Sequence, residues 1–139
     1  MLTNRKKIRV EWGDCDPARV VFYPRYFAYF DACTHSLFER AGLSVQIMHK
    51  KYQIIGIPLV EVRARFMAPS QFGERIVIES CVAAFRNRSF QVHHKLYNGD
   101  ELAVEAVEVR VLAVKSADDP HKLAARPIPS EIVKKFQKR

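Results

Sequence analysis

The sequence predicts an α+β fold: one long helix packed on a five-stranded antiparallel sheet. Three observations predict it. The segment from Pro24 to Gly42 repeats its apolar residues at three-to-four spacing, the buried stripe of a helix. Later segments alternate apolar and polar residues with period two, as half-buried strands do. The connections between those segments are short, and parallel strands would need long crossovers.

Taken in order, Ile8 to Trp12 reads as the first strand. Gly13 to Val21 is a loop, because Gly13-Asp14-Cys15-Asp16-Pro17 is dense in turn formers. Pro24 suits the first turn of a helix. The helical stripe is Phe27, Phe30, Cys33 or Thr34, Leu37 or Phe38, and Ala41, and Gly42 is the left-handed stop. Val45 to Lys51 reads as a short second helix. In Leu59 to Met67, Val60, Val62, Ala64 and Phe66 share one face, and Glu61, Arg63 and Arg65 the other. Ile76, Ile78, Ser80 and Val82 alternate next, then Phe90, Val92, His94 and Leu96. Asn98-Gly99-Asp100 marks a hairpin. Leu102 to Val114 reads as a long strand, with a bulge suggested by the phase of Glu105 and Glu108. The tail from Pro129 adds a short basic helix. One helix covers one face of a sheet, so the other face and the edges call for a second copy of the chain, at least a dimer.

With 139 residues, 48% of them apolar, the chain suits a single domain over 1–139 with a sizeable core, and disorder is excluded as its main state. No run approaches the roughly 18 apolar residues that span a bilayer, and the start lacks a secretory apolar segment. Cys15, Cys33 and Cys81 make neither a disulfide framework nor a metal spacing, which points to the cytoplasm. His93 and His94 face opposite sides of a strand, so no metal is expected. The net charge of +8 gathers at Arg5, Lys6, Lys7 and Arg9 and at Lys134, Lys135, Lys138 and Arg139, a pattern that solubility explains. No nucleic-acid-binding signature accompanies it.

Chemistry concentrates between Glu11 and Asp31. Two carboxylates, Asp14 and Asp16, sit in a tight loop, and a helix begins about seven residues later. The start of a helix offers unpaired N–H groups and partial positive charge, which polarise a carbonyl and stabilise an oxyanion. A carboxylate aimed there can attack the carbonyl carbon or deprotonate a water. From the residues alone, Asp16 reads first as a turn or capping aspartate, and Asp14 braces the loop. Asp31, a poor helix former in mid-helix, is a rival carboxylate or an ion-paired one. Cys15 beside Asp16 is a lesser candidate nucleophile.

Gly13-Asp14-Cys15-Asp16-Pro17-Ala18, then Val20-Val21-Phe22-Tyr23-Pro24 and Tyr26, resembles the signature of the 4-hydroxybenzoyl-CoA thioesterase family of hotdog-fold enzymes. The match is dense from Glu11 to Gly42 and collinear through the strands, including Arg86-Asn87-Arg88-Ser89-Phe90. The resemblance implies a hotdog fold, a homodimer or homotetramer with sites at subunit interfaces, and hydrolysis of a coenzyme A thioester with no cofactor. It makes Asp16 the catalytic nucleophile or general base and the Tyr23 N–H the group that polarises the carbonyl. It gives Arg86, Asn87 and Arg88 the nucleotide phosphates, which a guanidinium fork suits. Tyr26 stands beside the substrate, or only in the core. Arg19 departs from the family, which commonly has glycine there. It narrows the acyl slot or reaches a phosphate, and it is strained wherever a positive φ is needed. Pro24 stands where related short-chain thioesterases often place histidine. A carrier-protein thioesterase and a non-catalytic acyl-CoA-binding module are the alternatives.

Overall fold

A computed structural model describes residues 1–137. Of the basic C-terminal cluster, Lys138 and Arg139 lie outside them. The elements are β1 (Thr3–Arg9), a single 3-10 turn (Trp12–Asp14), α1 (Tyr23–Arg40) and α2 (Val45–Tyr52). Then come β2 (Leu59–Phe66), β3 (Arg75–Phe85), β4 (Ser89–Asn98) and β5 (Glu101–Val111). Short strands β6 (Ala113–Lys115) and β7 (Leu123–Ala125) and helix α3 (Ser130–Gln137) complete them. The main sheet has the order β1-β3-β4-β5-β2, with every pairing antiparallel.

Helix α1 is about 27 Å long at 1.5 Å per residue. It buries Tyr26, Tyr29, Phe30, Cys33, Thr34, Leu37 and Phe38 against the sheet. Gly42, at φ 81°, ends it in a Schellman turn: Leu43 N–H donates to the Phe38 carbonyl at 2.8 Å and Gly42 N–H to that of Glu39 at 2.9 Å. Ser44 caps α2, its hydroxyl accepting from Ile47 N–H at 3.2 Å. On β3 and β4 the expected alternation holds, with Ile76, Ile78, Ser80, Val82, Phe90, Val92, His94 and Leu96 all buried.

Three features differ from the sequence reading. The first strand is Thr3–Arg9, not Ile8–Trp12. Its outward residues Thr3, Arg5, Lys7 and Arg9 alternate with half-buried ones, so the basic run conceals the pattern. Trp12 instead opens a turn closed by reciprocal bonds between Glu11 and Asp14. In β5 the extra residue is Ala103, between the pairs Tyr97–Leu102 and Leu96–Val104, and not at Glu105 to Glu108. Glu108 then faces inward in ordinary alternation. Finally, Val60 and Phe66 of β2 stay exposed, because β2 is an edge strand that pairs only with β5.

The outer face of the sheet carries a row of alternating charge. Arg5, Glu79, Lys95, Glu105 and Arg65 stand opposite one another across all five strands. Arg5 and Glu79 form an ion pair, and opposite charges facing across strands are favourable.

Candidate active site

The chain leaves β1 through buried Val10 and turns at Trp12–Asp14. The Asp14 carboxylate accepts from Glu11 N–H at 3.1 Å and from the Tyr29 hydroxyl at 2.8 Å. It thereby staples the loop to α1. Burial, then this carboxylate, pushes the Tyr29 phenol well above its usual range.

The next segment is a three-residue hairpin. Asp16 N–H donates to the Val20 carbonyl at 3.0 Å, and Arg19 N–H donates to that of Asp16 at 2.9 Å. Loops of this kind finish on a left-handed residue, normally glycine. Here that residue is Arg19, at φ 67°. A side chain in this region costs roughly 1 kcal/mol. The Asp16 side chain accepts from Ala18 N–H through Oδ1 at 2.8 Å. Its Oδ2 has no partner among the described residues.

Helix α1 starts without a side-chain cap, since Phe22 has nothing to offer. Val21 N–H donates to Ser70 O at 2.9 Å, Phe22 N–H to Asp14 O at 2.8 Å, and Arg25 N–H to Phe22 O at 2.8 Å. Pro24 has no N–H. The Tyr23 N–H therefore stands without an acceptor among the described residues. A groove of about 300 Å³ opens there, lined by Tyr23, Tyr26, Phe66, Met67 and Pro69 among others. Tyr26 is buried, with its ring 5.3 Å from that of Phe66. Tyr23 and Tyr26 line this groove, whereas Asp16, seven positions before Tyr23 in the chain, is not among its lining residues. Partial burial, then Asp14 and Asp16, push the Cys15 thiol up, which disfavours a thiolate nucleophile.

The basic turn is elsewhere. Arg86, Asn87 and Arg88 cap the far end of β3, whose eleven residues span about 33 Å from the end that meets β1 and the loop. Arg88 Nη1 donates to the Ala125 carbonyl at 2.9 Å, and Ile128 N–H to that of Asn87 at 2.8 Å. Arg86 is exposed.

Asp31 lies eight residues beyond Tyr23, about 12 Å along the helix. Its Oδ1 accepts from buried Arg110 Nη2 at 2.9 Å. Arg110 holds Glu108 through two bonds, of 3.0 and 2.9 Å, and donates to Ile57 O at 2.8 Å. Glu108 also accepts from the Thr34 hydroxyl at 2.5 Å and lies 3.1 Å from His94 Nε2. A carboxylate only accepts, so Nε2 carries the proton there. His94 Nδ1 reaches Ser80 Oγ at 2.7 Å. Burial would raise the Glu108 carboxyl, but the donors from His94, Arg110 and Thr34 outweigh it and hold the group at about 2. Sequence reasoning missed this cluster. Its signal was parity: Glu108 and Arg110 share the phase of Val104 and Ala106, an inward face. Asp31, Glu108 and Arg110 border a second groove, of about 430 Å³, with Phe27, Ile57 and Leu59.

Among the described residues no cluster of three or more metal-ligating side chains occurs, and no helix is long and apolar enough to cross a membrane.

Residues 10–136 match the thioesterase-like superfamily. The chain is 32% identical over 132 residues to the 4-hydroxybenzoyl-CoA thioesterase of Pseudomonas sp. strain CBS-3, covering 90% of this chain and 91% of that one. It resembles the solved structure of a mutant 4-hydroxybenzoyl CoA thioesterase complexed with 4-hydroxybenzoyl CoA. That match has a TM-score of 0.88 and 27% identity, over 98% of this chain and 99% of the other. A gentisyl-coenzyme A thioesterase structure matches with a TM-score of 0.81 and 27% identity, over 97% and 100%. Fold, site-bearing loop and these likenesses agree: the chain belongs to the thioesterase-like superfamily and is a thioester hydrolase of the hotdog fold.

Proposed function

We propose that this chain hydrolyses an aroyl-coenzyme A thioester to the free acid and coenzyme A in the cytoplasm, and that it works as a homodimer or homotetramer. The observation that carries the reading is the pairing, within eight residues, of a carboxylate with one free oxygen and an amide with no acceptor. The Tyr23 N–H donates to the thioester carbonyl oxygen and draws electrons from its carbon. One such donor supplies on the order of 10²–10³ in rate. Asp16 acts in one of two ways. It attacks the carbon and expels the thiolate, leaving an acyl-aspartyl anhydride that water then cleaves. Otherwise it takes a proton from the water that attacks. Asp31 is the weaker candidate, because it is committed to Arg110 and sits about 12 Å along the helix from the amide. The aroyl group follows the relatives named above and the aromatic walls, Tyr26 and Phe66, of the groove at Tyr23.

Two features support assembly. Among the described residues the outer edge of β2 is unpaired, and exposed Leu59, Val60 and Phe66, with Met67 just beyond the strand, offer a template for a second copy. The basic turn also stands at the far end of β3, about 33 Å along that strand from the end that meets β1, so we read Arg86 to Arg88 as reaching a substrate at Asp16 from another protomer.

The test is thiol release from a panel of aroyl, short-chain and long-chain coenzyme A esters, with Asp16→Asn alongside. Aroyl esters should be cleaved fastest. Asp16→Asn should lose at least 10²-fold in kcat while keeping the wild-type circular dichroism and melting profile. Undiminished turnover in Asp16→Asn, with loss in Asp31→Asn, would move the chemistry to the second groove.

A further inference from the structure

We propose that Tyr29 is a positioning residue for the hydrolysis: acting through Asp14, it sets how the Asp16 carboxylate stands to the Tyr23 amide. This rests on the hydrolase reading above and adds a residue that carries none of the reacting atoms.

The carboxylate and the amide hang on opposite arms of one short hairpin. Phe22 N–H donates to the Asp14 carbonyl at 2.8 Å, and Asp16 N–H to that of Val20 at 3.0 Å. Cys15 faces Val21 between them. Asp16 is thus two residues up one arm from Asp14, and Tyr23 follows Phe22 on the other. A pair of arms this short is marginal by itself, so each arm needs an outside hold.

The arm that runs into α1 is held by the chain beside it. Val21 N–H donates to the Ser70 carbonyl at 2.9 Å, Phe72 N–H to that of Arg19 at 3.0 Å, and Val20 faces Gln71. The arm that carries Asp16 is held through the Asp14 side chain. One carboxylate oxygen, Oδ2, accepts both the Glu11 N–H at 3.1 Å and the Tyr29 hydroxyl at 2.8 Å. Among the described residues, this Tyr29 bond is the side-chain hydrogen bond that joins the Asp16 arm to α1.

Tyr29 stands six residues beyond Tyr23, about 9 Å down the same helix. The amide and the tether therefore share one rigid rod. The Tyr29 ring is buried and meets Tyr26 edge to face at 6.3 Å, so packing fixes where its hydroxyl points. Phenylalanine would fill the same space, so the oxygen is spent on Asp14. Burial and the carboxylate push the phenol well above its usual range, and it stays a donor through neutral pH. Reaction rate is steep in this geometry: a displacement of about 1 Å between reacting groups costs on the order of a hundredfold.

The experiment measures thiol release from the best-cleaved ester for Tyr29→Phe, Asp14→Ala and Asp14→Asn, with Tyr29→Phe also placed in the Asp16→Asn background. Tyr29→Phe should lose on the order of tenfold in kcat with KM nearly unchanged, because the groove at Tyr23 and Tyr26 is intact. Asp14→Ala should lose at least as much. Asp14→Asn keeps an oxygen that accepts from both donors and should recover most of that loss. In Asp16→Asn, adding Tyr29→Phe should cost nothing further, since no carboxylate is left to aim. Equal losses in both backgrounds would mean a structural role alone and would overturn the proposal. So would full kcat in Tyr29→Phe. A loss in Asp14→Asn as deep as in Asp16→Asn would put the chemistry on Asp14 and overturn it as well. A wild type that cleaves no ester refutes the hydrolase reading and this proposal with it, whereas an active wild type with any of those results refutes this proposal alone.

Discussion

Replacing Glu108 by glutamine should remove one acid-labile contribution to the protein's stability. In the folded chain this carboxyl titrates at about 2, against 4.5 for a free glutamate. Its folded value is depressed, so its contribution is complete above the unfolded value and is lost as pH falls from there towards 2. The difference is worth about 3 kcal/mol at pH 7. Glutamine keeps the shape and one acceptor but removes the charge that faces Arg110 and His94. Guanidinium unfolding at fixed protein concentration should therefore show Glu108→Gln about 3 kcal/mol less stable than wild type at pH 7. The gap should narrow progressively below pH 4.5 and nearly close near pH 2. An equal deficit at pH 7 and pH 2 would mean that shape alone matters. No deficit at pH 7 would mean that burial cost cancels the ion pairs, and either result refutes the electrostatic account.

Three further outcomes follow from neighbouring features. Tyr29→Phe removes the hydroxyl that ties Asp14 to α1, so stability should drop by about 1 kcal/mol and amide exchange should rise across residues 11 to 16. Arg19→Gly relieves the positive φ, so the melting temperature should rise, by an amount equivalent to roughly 1 kcal/mol of strain, whatever it does to substrate binding. Val60→Lys puts a charge on the open edge of β2, and sedimentation should show smaller assemblies at equal concentration.

Much of this was legible in the residues. Period two along Ile76 to Val82 and Phe90 to Leu96 follows from a sheet with one covered face, and the chain obeys it residue by residue. Pro24 and Gly42 bracket α1 because one needs no donor and the other tolerates the left-handed region. What hid from the sequence was whatever depended on contacts far along the chain. Arg5 to Arg9 looked like a charged tail until the row opposite Glu79 made it an edge strand. The phase of Glu105 and Glu108 suggested a bulge, and the inward place of Glu108 and Arg110 shows only through Thr34 and Asp31 of the helix, 74 and 79 residues away in sequence. Arg86 to Arg88 and Asp16 are separated within one protomer by the length of β3, a distance that a sequence does not carry.

Thr34 and Asp31 fasten the middle of α1 to ions beneath it, and Tyr29 fastens a higher turn to the Asp14 carboxylate. The Tyr23 amide rides on the same rod, about 17 Å above Thr34. A strut anchored at two heights can neither slide nor swivel, so the aim of that amide is inherited from salt chemistry deep under the helix. Re-aiming that amide from a distance, without touching the mouth of the groove, is then a matter of changing what the strut stands on.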